Sequence, residues 1–238
     1  FMAQTAENLA EKYGISREAQ DEFALRSHQL GAAAVQSGLF KEEIVPVEIK
    51  RRHEVVGQVE NDDHIKPDTS LESLSKLRAA FGKDGTVTAG NASGIVDSAA
   101  AIVVTKASVA KANGWKPRAR IVGWNAVGVK PSEMGIGPAP AIRNTLDKAG
   151  VSLDQVDLFE INEAFAAQYL AVEKELELDR EKVNVNGGAV AIGHPLGATG
   201  TRLVLTLTHE LARSKKTYGM ASACIGGGQG IAMLIERV

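Results

Sequence analysis

The sequence has 238 residues, 44% of them hydrophobic and 24% charged, with a formal net charge of -2. That is ordinary for a globular protein and enough chain for one or two domains with real cores. It excludes a nucleic-acid surface, since Lys50, Arg51 and Arg52 form the only dense basic run, which reads as a solvated strand end.

No apolar run is long enough to cross a bilayer. The chain has one cysteine, Cys224, so an internal disulfide is impossible. His28, His53, His64, His194 and His209 lack metal-ligand spacing, and no metal is expected. Phe1-Met2-Ala3-Gln4 has neither the basic region nor the apolar core of a signal peptide, and the chain is expected to continue upstream.

Residues 1–40 read as helical. Ala6, Leu9, Ala10 and Tyr13 recur at helical spacing. Ser16 offers a cap for a second helix through Phe23, Ala24 and Leu30, stopped by Gly38. Ile44 to Ile49 reads as an edge strand because of Pro46. Residues 53–70 read as an exposed loop and Leu71 to Leu77 as a short helix. From Gly85 the chain turns small and polar, TVTAGNASG. An apolar run, Ala99 to Val104, and a helix, Ala107 to Asn113, follow. Gly114 and Pro117 place a domain boundary near residues 114–118.

Beyond Arg118 the pattern is regular. Strands are expected at Arg120–Val127, Val156–Ile161, Val183–Asn186, Tyr218–Ala223 and Gly230–Ile235. Helices are expected at Ala139–Ala149, Ala164–Leu176 and Gly200–Arg213. This β-α-β-α-β-α-β-β order predicts an α/β layer fold. The last two strands are joined too tightly for a crossover and should pair antiparallel.

Three motifs carry chemistry. Asn162-Glu163-Ala164-Phe165 lies at a strand's carboxyl end, the usual place for a site in an α/β sheet. On its own, Asn162 reads more readily as a cap for the helix that starts at Ala164. GGAVAIGHPLGATG, from Gly187 to Gly200, sets His194 among glycines that allow close backbone approach to a ligand. A core histidine or a phosphate-cradling loop are its plainer readings. Cys224-Ile225-Gly226-Gly227-Gly228 places a thiol beside three glycines. A buried structural cysteine is the alternative, but a hairpin does not need three successive glycines, and their N–H groups suit an oxyanion.

Together these residues form an acyl-transfer set, and in this order NEAF, GGAxAxGHPxGxxG and CxGGGxG resemble the thiolase family. TAEN near the start, GTVTAGNASG and MGIGPAPA do so as well, so the resemblance covers the whole chain, with mitochondrial-type 3-ketoacyl-CoA thiolases the nearest members. It implies a layered α-β-α-β-α fold. Residues 1–90 would be the remainder of a loop domain, 85–116 the tail of the first domain, and 117–238 a complete βαβαβαββ second domain. Without the first domain's strands the chain should expose a broad apolar face.

The resemblance also implies roles. Cys224 would be the acid/base cysteine, and the nucleophilic cysteine would lie upstream. His194 would activate that nucleophile, and Asn162 would hold a water in one oxyanion hole. The Gly226 N–H would serve the other. Met2, Ala80, Phe81, Ala89, Ser93, Ala164 and Phe165 would line the CoA path, with Ser93 bonded to the pantetheine, and Met134 would line the acyl pocket. CoA would be a substrate, with no cofactor. The expected activity is thiolysis of 3-ketoacyl-CoA in fatty acid β-oxidation, by a homodimer or homotetramer. The mitochondrial matrix is the expected location, and peroxisomal and cytoplasmic members share the motifs. Phe1 stands where many acetoacetyl-CoA-specific members carry His, which leans toward longer acyl chains. An acetoacetyl-CoA thiolase, a self-sufficient Cys–His thioesterase and a non-catalytic CoA-binding module are the alternatives.

Overall fold

In a computed structural model, residues 1–80 and 84–238 are described. Two helices open the chain, α1 (Met2–Tyr13) and α2 (Arg17–Gln36). Ala6, Leu9 and Ala10 of α1 are buried, as their spacing predicts. Ser16 caps α2, its side-chain oxygen accepting from the Ala19 N–H.

The next segment departs from expectation. Strand β1 is Val47–Arg51, beginning only after Pro46, and it pairs antiparallel with β2 (Glu54–Val59) inside the stretch read as a loop. Proline has no N–H to give a ladder, so pairing starts beyond it. The turn is made by Arg52 at φ 58 rather than by an Asn-Gly pair, so the usual hairpin signal is missing. Val47, Ile49, Val55, Val56 and Val59 are all exposed, so no inside–outside alternation marks either strand. Helix α3 (Leu71–Ser75) is shorter than expected, with Ser70 and Ser73 capping each other. Residues 93–106 form no regular element, and Ile95 and Val103 are 90% and 88% exposed. Helix α4 (Ala107–Ala112) follows.

The rest builds one layered unit from β3 (Ala119–Gly128), α5 (Pro138–Ala149), β4 (Leu158–Ile161), α6 (Ala166–Leu176), α7 (Ala189–Ile192), α8 (Thr199–Ser214), β5 (Tyr218–Ile225) and β6 (Gln229–Arg237). The sheet order is β3-β6-β5-β4. Strands β4 and β5 are parallel, and β6 is antiparallel to both β5 and β3, as the tight last connection requires.

Alternation along the strands builds a core on each face. Phe159, Ile161, Met220, Ala232 and Leu234 pack with α5 and α6 through Ile142, Leu146, Tyr169 and Val172. Leu158, Ala221 and Ile235 pack with Leu203, Leu207 and Leu211 of α8. Those three leucines repeat every four residues on one helix face, and burying each contributes roughly 2 kcal/mol. On strands β3, β5 and β6, Ile121, Trp124, Ile225 and Ile231 remain exposed.

The strand expected at 183–186 does not form; only a single parallel bridge joins Val183 to Phe159. Asn184 explains this. It sits at φ 48, and its side-chain amide takes over the ladder, accepting from the Ile161 N–H and donating to the Ile161 carbonyl, both at 2.9 Å. A left-handed residue cannot continue a pleated strand.

Candidate active site

The parallel pair β4 and β5 ends at one edge of the sheet, and the motif residues gather there. Asn162 follows β4 directly, and its N–H donates to the Ser222 carbonyl at 2.9 Å. Two residues beyond Ser222 is Cys224, still inside β5 and opposite Gly230. Cys224 packs against Met134 and Ala164, with Phe165 alongside.

Leu158, Glu160 and Asn162 follow one strand face toward α8. Leu158 packs on its leucines, and Glu160 accepts from Arg202 of α8 at 2.9 Å. Asn162 meets His194, just ahead of α8, with Nδ2 3.3 Å from His194 Nε2. Asn162 therefore does not cap α6; the residue before that helix is Phe165, with extended backbone. Asn162 Oδ1 is buried and meets no donor among the described residues.

His194 is half-buried and fixed at three points. Its N–H donates to the Gly94 carbonyl at 2.8 Å, and its Nδ1 lies 2.6 Å from Thr199 Oγ1. Its Nε2 meets Asn162. Burial, and secondarily the positive charge of Arg202, hold the imidazole pKa below 6.5. The ring is a neutral base near pH 7. Cys224 is in the opposite condition. Burial pushes its thiol up to about 12, so the sulfur is held as a proton donor rather than as a thiolate.

The NASG loop ties these parts together. The Ser93 N–H and hydroxyl both donate to the Ala164 carbonyl, at 3.1 and 3.0 Å, beside Cys224. Gly94 holds His194, and Ala92 bridges to Phe165. The hydrogen of the Ser93 hydroxyl is thus committed within the protein, leaving its oxygen only an acceptor for a ligand N–H.

The remaining expected contacts scatter in kind. Met2 is 45% exposed, and a Cβ built on Gly226 would meet only its sulfur, at 3.9 Å. Gly226 does not have a positive φ, so neither its own backbone nor close packing among the described residues demands a glycine there. Ala80 and Ala89 are exposed, Ala80 donating to the Val87 carbonyl at 2.8 Å. Phe81 lies outside the described residues.

Four residues without an assigned role prove central. Glu163, second in NEAF, is fully buried. It accepts from Ser27 Oγ at 2.7 Å, Asn184 Nδ2 at 2.8 Å and the Val190 N–H at 3.0 Å, tying α2, the 184 turn and α7 together. Burial pushes its carboxyl pKa up, and those three bonds pull it back. Glu160, Thr199 and Arg202 are the others. Glu160 was detectable as a lone acid inside the apolar strand LFEI, where a buried charge demands a partner. Thr199 and Arg202 carried no such signal.

Glu163 also explains Gly188. A Cβ there would lie 2.2 Å from the Glu163 carboxyl carbon, which its three donors hold in place. Gly188→Ala is expected to destabilise the chain by about 1–3 kcal/mol. Thermal unfolding checks this, and an unchanged Tm would contradict the clash.

Comparison with known proteins agrees along the chain. Residues 1–108 match the family description "Thiolase, N-terminal domain" and residues 115–237 match "Thiolase, C-terminal domain". The human mitochondrial 3-ketoacyl-CoA thiolase is 54% identical over 236 residues, 99% of this chain and 59% of that protein. The crystal structure of the Bacillus anthracis acetyl-CoA acetyltransferase superposes with a TM-score of 0.98 at 55% identity, covering 100% of this chain and 60% of that one. Human mitochondrial 3-ketoacyl-CoA thiolase in complex with CoA gives 0.93 at 51% identity, over 100% and 59%. The chain spans about 60% of the length of the relatives it matches. With both family domains matched in order and the fold superposing throughout, the chain belongs to the thiolase family.

Proposed function

We propose that this chain carries the acid–base part of a thiolase site, for thiolytic cleavage of 3-ketoacyl-CoA by CoA to acetyl-CoA and a shortened acyl-CoA. The observation that supports it best is the pairing of opposite proton states at one sheet edge. His194 is a neutral base and Cys224 a protonated thiol, linked through Asn162, Ser222 and the NASG loop. The chain's only cysteine is the buried Cys224. In this reading the nucleophilic cysteine is supplied by a first-domain segment outside this sequence.

Thiolysis then runs as follows. The nucleophile's thiol gives its proton to His194 Nε2 and its sulfur attacks the 3-keto carbon. The bond between the α and β carbons breaks, and the departing acetyl-CoA carbanion takes the proton of the Cys224 thiol. An incoming CoA thiol returns a proton to the Cys224 sulfur and attacks the acyl-cysteine. The nucleophile's sulfur leaves, and His194 gives its proton back. In this reading the Gly226 N–H serves one oxyanion and a water held by Asn162 completes the hole for the other, and removing one such donor commonly costs roughly 100–1,000-fold. Met134, packed on Cys224, lines the acyl end, and Met2, Ala80, Ala89, Ser93, Ala164 and Phe165 the CoA path. The CoA complex of the human relative supports CoA as substrate. Similar relatives include a 3-ketoacyl-CoA thiolase from mitochondria and a bacterial acetyl-CoA acetyltransferase, so we place longer acyl chains and acetoacetyl-CoA as the two substrates to compare.

The test is thiolysis of acetoacetyl-CoA and of a longer 3-ketoacyl-CoA, by this chain alone and with a first-domain segment supplied. Turnover only with the segment, lost in Cys224→Ala by roughly 100-fold or more, is the expected result. Turnover by the chain alone would favour a Cys–His hydrolase. CoA binding without turnover in either sample would favour a binding module.

A further inference from the structure

We propose that Thr199 is a positioning residue that fixes the tautomer of His194, keeping Nδ1 protonated so that Nε2 is the nitrogen that takes and returns the proton. The inference rests on the thiolase reading only for its catalytic consequence; the tautomer itself follows from geometry.

Two ends of one hydrogen-bond chain agree. At one end, Asn162 Nδ2 lies 3.3 Å from His194 Nε2. An amide nitrogen can only donate, so Nε2 accepts and carries no hydrogen. A neutral ring then has its hydrogen on Nδ1. At the other end, Nδ1 lies 2.6 Å from Thr199 Oγ1, and Thr199 Oγ1 lies 3.1 Å from the Pro195 carbonyl oxygen. A hydroxyl has one hydrogen and a carbonyl none. The chain closes when Thr199 donates to Pro195 and accepts from His194 Nδ1. Thr199 is 2% exposed, so water does not compete for this bond.

The position is built for the purpose. Thr199 is the first residue of α8, and Pro195 lies one turn before it, so helix geometry brings hydroxyl and carbonyl together. The Gly94 carbonyl holds the His194 backbone from the other side. At 3.3 Å the Asn162 bond is the long one in the chain, and Asn162 can yield Nε2 to a thiol proton while Thr199 keeps its grip. When Nε2 gains a proton, Nδ1–H still points at Thr199, so the ring need not turn during the cycle.

The test is the nitrogen NMR spectrum of histidine-labelled chain, with the His194 signals assigned by their loss in His194→Gln. Wild type is expected to show Nδ1 as the protonated nitrogen. Thr199→Val keeps the branched shape but loses the hydroxyl, and should shift the tautomer ratio roughly three- to tenfold toward Nε2–H. Thr199→Ser should restore it. In the complemented enzyme, Thr199→Val should lower kcat roughly tenfold with KM unchanged, and Thr199→Ser should recover the loss. A wild-type His194 protonated on Nε2, with the Asn162 amide turned about, would overturn the proposal. So would a folded Thr199→Val chain with an unaltered tautomer. If the tautomer behaves as stated but no variant or wild-type sample turns over, the thiolase reading fails and this inference stands.

Discussion

Replacing His194 with glutamine is expected to lower thiolysis by the complemented enzyme roughly 100–10,000-fold, the usual worth of a positioned general base. Glutamine keeps a hydrogen-bonding side chain of similar reach but cannot accept and return a proton. CoA binding should change little, because His194 bonds to Asn162, Thr199 and Gly94, none of them among the residues proposed to line the CoA path. The loss should therefore appear in kcat and kcat/KM alike, with KM near wild type. The pH profile supplies an independent check. Burial and then Arg202 hold the imidazole below 6.5, so His194 stays a base until the pH falls beneath that value. The acid limb of kcat/KM should lie below 6.5 and disappear in His194→Gln. A limb above 6.5, or a variant within tenfold of wild type, would remove His194 from the base role.

Where Glu160 is ionised, above about pH 8, Arg202→Met leaves one member of a buried pair alone and should destabilise the fold, by up to about 3–5 kcal/mol. Glu160 is 2% exposed and Arg202 is its ion-pair partner at 2.9 Å. Glu43 and Asp62 share the surroundings, and burial raises both of their carboxyls against the pull of the same guanidinium. Methionine matches the length of the arginine stem but brings no charge.

The pH dependence has a definite sign. Burial pushes Glu160 up to about 8 even with Arg202 present. A carboxyl raised in the folded state favours folding at low pH, and that contribution is lost as pH rises through its folded pKa. Removing Arg202 raises the folded pKa further, so the variant holds its proton where wild type has released it. The variant's stability then falls more steeply with pH. The difference between the two proteins should be larger at about pH 9 than at about pH 6. Thermal unfolding at both values measures it. A difference that shrinks with pH would show that Glu160 does not depend on Arg202. The same substitution removes a positive charge that lowers His194, so the acid limb of activity should move upward.

The three motifs of the candidate site were legible in the sequence because their residue types are chemically unusual where they stand. A thiol beside three glycines, a histidine in a glycine-rich loop and an asparagine after an apolar strand each suit a ligand site, and together they suit one better than separate structural roles. The motifs at Asn162, His194 and Cys224 could therefore be singled out. Helices α1, α2, α5 and α8 were legible for a different reason. Each shows a buried face at helical spacing, and that pattern is local. Strands β1 and β2 bury neither face, so nothing in their order of side chains marked the pairing.

The sequence by itself determined the antiparallel closing hairpin, the order of elements beyond residue 118 apart from the strand expected at 183–186, and which side chains are candidates to carry protons. These follow from local periodicity, turn length and side-chain chemistry. Only the tertiary structure decided that Asn184 replaces a strand, that Glu163 clamps Gly188, and that Arg202 and Thr199 stand behind Glu160 and His194. Each of those depends on groups from different elements meeting in a site with little water. Such meetings fix which donor serves which acceptor, and which proton stays where, through distances that no single stretch of chain encodes.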